Sequence, residues 1–317
     1  MKILITGITG LLGSYIAREF AGKAEIHGFK RMGSSLRLVE GINTEIHWHE
    51  GNLSDVEELG EAVAGKDLVI HAAGMVSFDS RDEELLYEVN NAGTANLVNA
   101  MLSAGNKKLV YVSSVSAIGR SPELICIDEN HKWAESPFNT VYATSKYFGE
   151  LEAWRGEQEG LDLIVVNPSI LLGKVSDDRS STEIYHYVLD ENSYYPKGDL
   201  NYLDVRDAAK MIRLLVEKEA WGERFILNNQ SISYQDFFNE MARAFKKKAP
   251  SKPATPFLIR LAVSYNGILR RFRLSKNPLN IQTAMIAQQK MFYDNRKILE
   301  LLDFKFTPLE DTFRWAK

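Results

Sequence analysis

The sequence contains few of the residues and patterns that mark secreted, metal-binding or membrane proteins. Cys126 is the only cysteine among 317 residues, which excludes an internal disulfide and a thiolate metal cluster and favours a reducing compartment. Apolar residues nowhere run uncharged for the roughly 20 positions that cross a bilayer. A single cation, Lys2, precedes the first apolar run at Ile3, which leaves no room for a signal peptide. We therefore expect a cytoplasmic protein.

The chain also has no excess of positive over negative charge. The chain has 38 Lys and Arg against 42 Asp and Glu, a net charge of −4, which excludes a broadly basic nucleic-acid-binding protein. No internal repeat, low-complexity tract or Gly/Ser linker divides it. Hydrophobic residues make up 45% of the sequence and charged residues 25%, a composition that predicts a globular protein with a large core.

Short runs rich in Val, Ile and Leu recur along the chain, each preceded by a helical pattern. Several are apolar throughout rather than alternating, as strands covered by helices on both faces should be. Strands that alternate with helices pair in parallel through right-handed crossovers, so we predict an α/β fold with a doubly wound parallel sheet. The predicted strands are Ile3 to Thr6, Ile26 to Phe29, Leu68 to His71, Leu109 to Val112, Leu163 to Val166 and Phe225 to Leu227.

A second, smaller unit is predicted from the segments that follow the later strands. Residues 1–173 form the predicted dinucleotide-binding domain, and a segment of about residues 199–230 completes it. Residues 174–198 and 231–317 mainly form a smaller, mostly helical substrate lobe built from C-terminal insertions. Because ligands of open α/β sheets lie at the carboxyl ends of the strands, we expect these insertions to meet the substrate.

A glycine-rich turn follows the first predicted strand, in the run Thr6-Gly7-Ile8-Thr9-Gly10-Leu11-Leu12-Gly13. Gly7 permits a tight turn, Gly10 lets the backbone approach a pyrophosphate, and Gly13 lets the next helix pack close to the strand. The helix N-terminus offers free N–H groups to the anion. The run therefore predicts a dinucleotide-binding site.

Two cations follow the second predicted strand. An acidic residue at this place binds the ribose 2′-hydroxyl of NAD, whereas a cation accommodates the 2′-phosphate of NADP. The sequence has Lys30 and Arg31 there, with Ser34, Ser35 and Arg37 close behind. We predict NADP as the cofactor, with NAD as the alternative.

Tyr142 and Lys146 lie four residues apart in a helical segment, so both side chains emerge on one face. An ammonium beside a phenol lowers the pKa of the phenol, which would let Tyr142 exchange a proton near neutral pH. Ser113 and Ser114 end a buried strand, where a hydroxyl could polarise a substrate oxygen. The three features predict one catalytic crevice.

Together these patterns resemble the extended branch of the short-chain dehydrogenase/reductase superfamily, the NAD-dependent epimerase/dehydratase family, over most of the chain. The glycine run resembles its TGxxGxxG motif, and the Tyr-Lys helix its catalytic helix. The further matching segments are His71-Ala72-Ala73-Gly74, Val89-Asn90-Asn91-Ala92-Gly93-Thr94, Asn167-Pro168-Ser169 and Tyr202-Leu203-Asp204-Val205-Arg206-Asp207. The resemblance implies a Rossmann fold and, commonly in the family, a homodimer formed through two helices.

The resemblance also implies residue roles. Tyr142 is the general acid/base, Lys146 its partner and a ligand of the nicotinamide ribose, and Ser114 the group that polarises the carbonyl; Ser114 is preferred over Ser113 and Ser116 for its spacing to Gly119. The predicted cofactor contacts, from the turn, the cations and the resemblance, are Thr6, Gly7, Thr9, Gly10, Leu11, Leu12, Gly13, Lys30, Arg31, Asn52, Leu53, His71, Ala72, Ala73, Gly74, Asn90, Val112, Ser113, Tyr142, Lys146, Asn167, Pro168 and Ser169.

The sequence departs from the family pattern at two places. The GDLxD segment is Gly51-Asn52-Leu53-Ser54-Asp55, so an amide rather than a carboxylate would face adenine. The dehydratases of this branch place an Asp-Glu pair after the catalytic hydroxyl, where this chain has Val115 and Ser116. Because that pair supplies the acid and base for water elimination, dehydratase chemistry is not expected.

The leading hypothesis is therefore an NAD(P)-dependent oxidoreductase that acts on a ketone or secondary alcohol, similar to dihydroflavonol reductases and 3β-hydroxysteroid dehydrogenases. The alternative is a nucleotide-sugar epimerase with tightly bound NAD, and a non-enzymatic NADP-sensing regulator is less favoured because Tyr142 and Lys146 are both retained. The substrate is a small molecule. Its predicted contacts are Met75, Val76, Ser114, Tyr142 and Tyr185, the last from an aromatic insertion that could close over the crevice.

Two further patterns suggest sites but have simpler explanations. His47 and His49 alternate on a predicted strand, yet no third ligand accompanies them, so we expect no metal site. The segment from Phe257 to Leu274 interleaves apolar residues with Arg260, Arg270, Arg271 and Arg273, as a helix on an anionic membrane would. A lobe helix with its cations in solvent is the favoured explanation, so we do not expect membrane association.

Overall fold

The structure is a computed structural model that describes residues 1–121, 125–177, 183–271 and 280–317. Its strands are β1 (Lys2–Thr6), β2 (Glu25–Lys30), β3 (Ile46–Glu50), β4 (Leu68–His71), β5 (Lys108–Val112), β6 (Cys126–Ile127), β7 (Asp162–Pro168), β8 (Ile170–Leu172), β9 (Tyr194–Tyr195), β10 (Asp199–Asp204), β11 (Glu223–Leu227), β12 (Gln230–Ser233), β13 (Lys252–Pro253) and β14 (Phe292–Tyr293).

The α-helices are α1 (Leu11–Phe20), α2 (Val56–Val63), α3 (Glu83–Tyr87), α4 (Gly93–Ala104), α5 (Val141–Gln158), α6 (Glu183–Leu189), α7 (Val205–Glu217), α8 (Tyr234–Phe245), α9 (Pro256–Arg271), α10 (Ile281–Ile286), α11 (Arg296–Leu302) and α12 (Leu309–Ala316). A π-helical turn, Glu88–Ala92, joins α3 to α4, and a 3₁₀ helix, Val115–Ile118, follows β5.

Seven parallel strands form the main sheet in the order β11-β7-β5-β4-β1-β2-β3. Helices cover both faces of this sheet, so the predicted doubly wound Rossmann fold is confirmed. The register sets Thr6 of β1 beside Phe29 of β2 and His71 of β4, and Val112 of β5 beside Val166 of β7. The carboxyl ends of these strands therefore share one edge, where the predicted cofactor and catalytic residues meet.

Two apolar cores flank the main sheet because successive side chains of a strand point to opposite faces. Ile3 and Ile5 of β1 pack on one face with Ile212 of α7. Leu4 packs on the other face with Leu97 of α4. The continuous apolar runs of the sequence thus reflect strands that are buried on both sides.

A third core lies within the insertions. It contains Tyr185 of α6, Tyr202 of β10, Phe237 of α8 and Phe313 of α12. A three-stranded sheet in the order β12-β10-β8 lies beside it. Within residues 199–230, β10 belongs to this smaller sheet, whereas α7 packs on the main sheet and β11 is one of its strands. Conversely, Ile298 of α11 packs into the first core.

The segment with interleaved arginines begins as helix α9. Phe257, Leu261 and Tyr265 are exposed along one side of it, while the side chains of Arg270, Arg271 and Arg273 lie outside the described residues. Across the described ranges, no helix combines the length and the apolar character needed to cross a bilayer.

Candidate active site

The glycine turn has the geometry that close approach of a ligand requires. Gly7 has a φ of 69°, and a Cβ there would lie 2.5 Å from the backbone N of Ala73. A Cβ on Gly13 would lie 2.2 Å from the carbonyl of Gly7, so only glycine lets α1 pack so near to β1. Gly10 is the N-cap of α1, and no described side chain caps that helix start. Its first N–H groups are open to an anion, which fits a pyrophosphate.

Several predicted cofactor contacts have side chains that serve the fold. Thr6 Oγ1 and His71 Nδ1 lie 2.6 Å apart, and His71 Nε2 lies 3.2 Å from Thr94 Oγ1. Burial lowers the pKa of His71 to about 3, so the imidazole is neutral. The side chain of Leu12 packs in the first core. Because these side chains are engaged, only the backbone atoms of Thr6, Leu12 and His71 are free to contact a cofactor.

Asn90, in the π-helical turn, holds the loop after β4 by hydrogen bonds to its backbone. The amide of Asn90 accepts from the Met75 N–H at 2.8 Å and donates to the Met75 carbonyl at 2.9 Å and to Ser145 Oγ at 3.0 Å. With both ends of its amide engaged, Asn90 positions the loop rather than offering a free group. A Cβ on Gly74, in this loop, would lie 3.9 Å from Lys146 Nζ.

The three cations near the end of β2 are not equivalent. Lys30 is ion-paired with Glu50, its cross-strand neighbour at the end of β3. Arg37 donates hydrogen bonds to the backbone carbonyls of Ser176 and Asp177. Arg31 is exposed, and its guanidinium has no hydrogen-bond or ion-pair partner among the described residues. Arg31 is therefore the cation of this group that is best placed for a 2′-phosphate.

The predicted adenine contact lies on the same side of the sheet. Asn52 is exposed, and its Oδ1 accepts a hydrogen bond from the Leu53 N–H at 2.9 Å, which leaves the amide NH₂ outward. Leu53 itself is buried, and its carbonyl accepts from Asn96 of α4 at 2.9 Å. Asn52 can thus offer a donor to a base, while Leu53 anchors the segment.

Helix α5 and the end of β5 bring the predicted catalytic residues together. Thr140 caps α5 through its Oγ1, which accepts from the Ala143 N–H at 3.1 Å, and Tyr142 lies in the first turn. The Ser114 hydroxyl lies close enough to the Tyr142 phenol to lower the pKa of the phenol. Ser113 instead donates to Glu150 at 2.6 Å. Of these two serines, Ser114 is therefore the one that acts on Tyr142.

The lowering of the Tyr142 pKa that was expected from Lys146 is not found. Burial raises the pKa of Tyr142, and the opposing effects come from the Ser114 hydrogen bond and the charge of Arg120. The Lys146 ammonium instead donates to the Val112 carbonyl at 2.9 Å and to Tyr111 Oη at 3.2 Å. Its own burial lowers the pKa of Lys146 to about 8, against the charge of Glu150.

Unpaired polar atoms lie at the end of β7. Asn167 donates from Nδ2 to the Ser114 carbonyl at 2.9 Å and to Glu150 at 2.8 Å. Its Oδ1 is buried without a partner in the described structure, and so is the Ser169 hydroxyl. Buried polar atoms are normally satisfied, so these two atoms fit a bound polar group such as a carboxamide. Pro168, between them, is buried in the strand.

The substrate side of the crevice differs from the prediction at one residue. Phe78, in the loop after β4, packs edge-on against Tyr142 with ring centroids 5.8 Å apart. Val76 is exposed and Met75 half-buried in the same loop. Tyr185, however, is completely buried in the third core, where its hydroxyl donates to the Gly173 carbonyl at 3.0 Å. The prediction that Tyr185 contacts substrate is therefore corrected, because its polar and apolar parts are both already engaged.

Sequence reasoning missed Arg120 and the elements that flank it. The charge of Arg120 acts on Tyr142 and on Tyr234, the first residue of α8. At the start of α10, Asn280 donates to the Phe78 carbonyl at 3.0 Å, and Gln282 donates to the Asn139 carbonyl at 2.9 Å. A signal for Arg120 was present, since it directly follows the glycine whose spacing selects Ser114. Tyr234 and α10 lie far along the sequence from Tyr142, so no local pattern links them to the site.

Comparisons with known proteins identify the family. The family model of the NAD dependent epimerase/dehydratase family matches residues 3–227. A putative dihydroflavonol 4-reductase from Synechocystis sp. is 28% identical over 306 residues, 94% of this chain and 88% of that protein. Cinnamoyl-CoA reductase 1 from Petunia hybrida is 27% identical over 261 residues, 77% of each chain. The crystal structure of gox2253 has a TM-score of 0.82 at 27% identity and covers 99% of this chain and 96% of its own.

The family model spans both the glycine turn and the catalytic helix, more than half of the chain. The protein belongs to the NAD dependent epimerase/dehydratase family, within the extended short-chain dehydrogenases/reductases.

Proposed function

We propose that the protein is an NADP-dependent reductase or dehydrogenase that acts on a ketone or secondary alcohol, with Tyr142 as the general acid/base. The observation that carries the proposal is the placement of Ser114, just after β5, close enough to Tyr142 in the first turn of α5 to lower the pKa of the phenol, with Lys146 one turn further along α5. The names of the reductase relatives support the same reaction class.

The chemistry follows from the state of the three side chains. Because burial raises the pKa of Tyr142, its phenol carries a proton at neutral pH and can give it to a carbonyl oxygen. The Ser114 hydroxyl polarises the same oxygen. A bound nicotinamide supplies the hydride that converts the carbonyl carbon to a carbinol. The Lys146 ammonium, charged below pH about 8, would hold the nicotinamide ribose.

The residues near the strand ends would hold the cofactor. The N-terminus of α1 and the Gly7–Gly13 turn suit the pyrophosphate. Asn52 suits the adenine, and Arg31 suits the 2′-phosphate of NADP. Asn167 and Ser169 suit the carboxamide, since each has a buried polar atom without a partner in the described ranges.

A nucleotide-sugar epimerase with tightly bound NAD remains the second candidate. One observation favours it: the pairing of Lys30 with Glu50 and of Arg37 with backbone carbonyls leaves a single unpaired cation, Arg31, among the three. A weaker cationic site reduces the preference for a 2′-phosphate. The non-enzymatic regulator has no observation in its favour, because it would need neither Tyr142 nor Lys146.

A cofactor titration separates these candidates. The purified protein is first examined by absorbance for bound nucleotide and then titrated with NADPH and NADH by fluorescence. We expect the purified protein to carry no bound nucleotide and to bind NADPH more tightly than NADH. We also expect it to oxidise NADPH when it is given ketones from a panel. Tyr142→Phe should bind NADPH normally and lose about 10²- to 10⁴-fold in kcat. NAD that cannot be dialysed away, with turnover of nucleotide sugars, overturns the proposal in favour of the epimerase.

A further inference from the structure

The residues that precede Arg120 in the chain place it beside Ser114 and Tyr142. The 3₁₀ helix Val115–Ile118 leads directly from Ser114 to Gly119, which has a φ of 94°. This left-handed conformation favours glycine, and a Cβ there would approach the ring of Trp133 to 3.3 Å. The turn is thus built for glycine, and it delivers the next residue, Arg120, to the neighbourhood of Tyr142.

The guanidinium of Arg120 has no protein partner in the described part of the chain. Its Nε is buried without a hydrogen bond, and no carboxylate among those residues pairs with it. Two other arginines have partners: Arg224 pairs with Glu150, and Arg206 pairs with Asp204. Arg120 is half-buried, and a buried Nε without a partner is costly, which indicates that Arg120 is held ready for a ligand.

A second unpaired donor lies within the electrostatic range of Arg120. Burial raises the pKa of Tyr234 to about 12, although the charge of Arg120 acts in the opposite direction. The phenol is therefore protonated at neutral pH and is a hydrogen-bond donor. Its hydroxyl makes no hydrogen bond to another described residue, and its ring packs on Phe238 at 5.7 Å, which fixes its orientation.

The electrostatics of the crevice favour a negative charge there. Arg120 acts on Tyr142 as well as on Tyr234, so one guanidinium serves both the catalytic phenol and the unpaired one. Lys146, one turn further along α5 than Tyr142, adds a second cation. Partly buried cations with free donors bind carboxylate or phosphate oxygens through charge-assisted hydrogen bonds.

We propose that Arg120 and Tyr234 bind an anionic group of the substrate, a carboxylate or a phosphate, and so present its carbonyl to Tyr142 and Ser114. The inference rests on the proposed reductase function for the identity of the reacting carbonyl. It adds the class of substrate, an oxo acid or a phosphorylated ketone, and a specificity residue.

The test measures binding to the protein–NADP⁺ complex by calorimetry, so that it does not depend on turnover. Three matched pairs serve as probes: 2-oxopentanoate and its methyl ester, 4-oxopentanoate and its methyl ester, and dihydroxyacetone phosphate and dihydroxyacetone. We expect at least one anionic probe to bind about tenfold or more tightly than its neutral partner. The oxo acids and the phosphate distinguish the two sources of negative charge.

Variants assign the preference to its residues. Arg120→Gln should abolish the difference between the anionic and neutral probes, Arg120→Lys should retain part of it, and Tyr234→Phe should reduce it. Arg243→Gln is the control, because Arg243 lies on the same helix as Tyr234 but is exposed and pairs only locally with Glu240. Thermal unfolding of each variant identifies any that fail to fold, and Arg120→Lys, which keeps the charge, remains informative in that case.

Two results overturn the inference: no anionic probe binds more tightly than its neutral partner, or the preference persists in Arg120→Gln. The proposed function is judged separately by NADPH oxidation. An anion preference without NADPH-dependent turnover would contradict the reductase proposal and support the anion site. Turnover of neutral ketones without an anion preference would support the reductase proposal and contradict the anion site.

Discussion

The Glu150 carboxylate lies 2.8 Å from the Arg224 guanidinium, and this ion pair joins the middle of α5 to the edge strand β11. Glu150 is almost fully buried and also accepts from Ser113 Oγ and from Asn167 Nδ2. The amide of Asn167 in turn holds the Ser114 carbonyl. A single buried carboxylate therefore aligns the catalytic helix with two strand ends.

Removal of this carboxylate should weaken the whole fold. Breaking a buried ion pair leaves an unpaired charge, so we expect Glu150→Ala to lower the free energy of unfolding by about 3 kcal/mol. Urea denaturation measures the change. Glu152→Ala, on the same helix, removes a half-exposed pair with Arg155 and should cost under about 1 kcal/mol. Equal losses for the two variants would contradict a special role for Glu150.

The alkaline limit of activity should follow Lys146. Burial lowers the pKa of Lys146 to about 8, so the ammonium becomes neutral as the pH rises through that value. We expect kcat/KM for ketone reduction to fall above about pH 8, because the neutral amine of Lys146 would hold the nicotinamide ribose less tightly. In Lys146→Arg the guanidinium stays charged, which should move this limit to higher pH.

The exposed lysine Lys218 supplies the control for that experiment. Lys218→Arg changes the same functional group at the C-cap of α7 and should leave the pH profile in place. An alkaline limit that is the same in Lys146→Arg as in the unchanged protein would show that another group sets it.

Cofactor preference should depend on Arg31. Because Arg31 is the unpaired cation among the described cations after β2, Arg31→Ala should weaken NADPH binding about tenfold or more and leave NADH binding unchanged. Lys30→Ala should have a smaller effect on the NADPH dissociation constant, since Glu50 already neutralises Lys30. Fluorescence titration measures both cofactors. Equal binding of NADPH and NADH that Arg31→Ala does not alter would refute NADP as the preferred cofactor.

The sheet and its strand ends were predictable because their causes are local. A strand buried on both faces leaves an apolar run, and a turn with a φ of 69° leaves a glycine, as at Gly7. Four-residue spacing sets Tyr142 and Lys146 on one face of α5. The topology rule then brings Ser114 to the same edge of the sheet, where its hydroxyl is close enough to lower the pKa of Tyr142.

The partners of individual side chains were not predictable because they depend on distant residues. Lys30 is an apparent cofactor cation until the register of β2 and β3 sets Glu50 opposite it. Tyr185 has the composition of an aromatic lid, but α8 and α12 enclose it in the third core. The ammonium of Lys146 is turned toward Tyr111 and Val112 by the close approach of β5 to α5. The sequence pattern contains none of these contacts.

Acid sensitivity should arise in part from His71. Burial lowers its pKa from 6.5 in the unfolded chain to about 3 in the folded protein. Between these values the unfolded chain binds a proton that the folded protein does not, so stability falls as the pH falls, by up to about 1.4 kcal/mol per unit. His71→Asn, which keeps polar atoms near Thr6, should lower stability at pH 7 but show a shallower loss between pH 6.5 and 3. Urea denaturation across this range measures both slopes, with the exposed His186→Gln as the control. Parallel slopes in His71→Asn and the unchanged protein would assign the acid sensitivity to other groups.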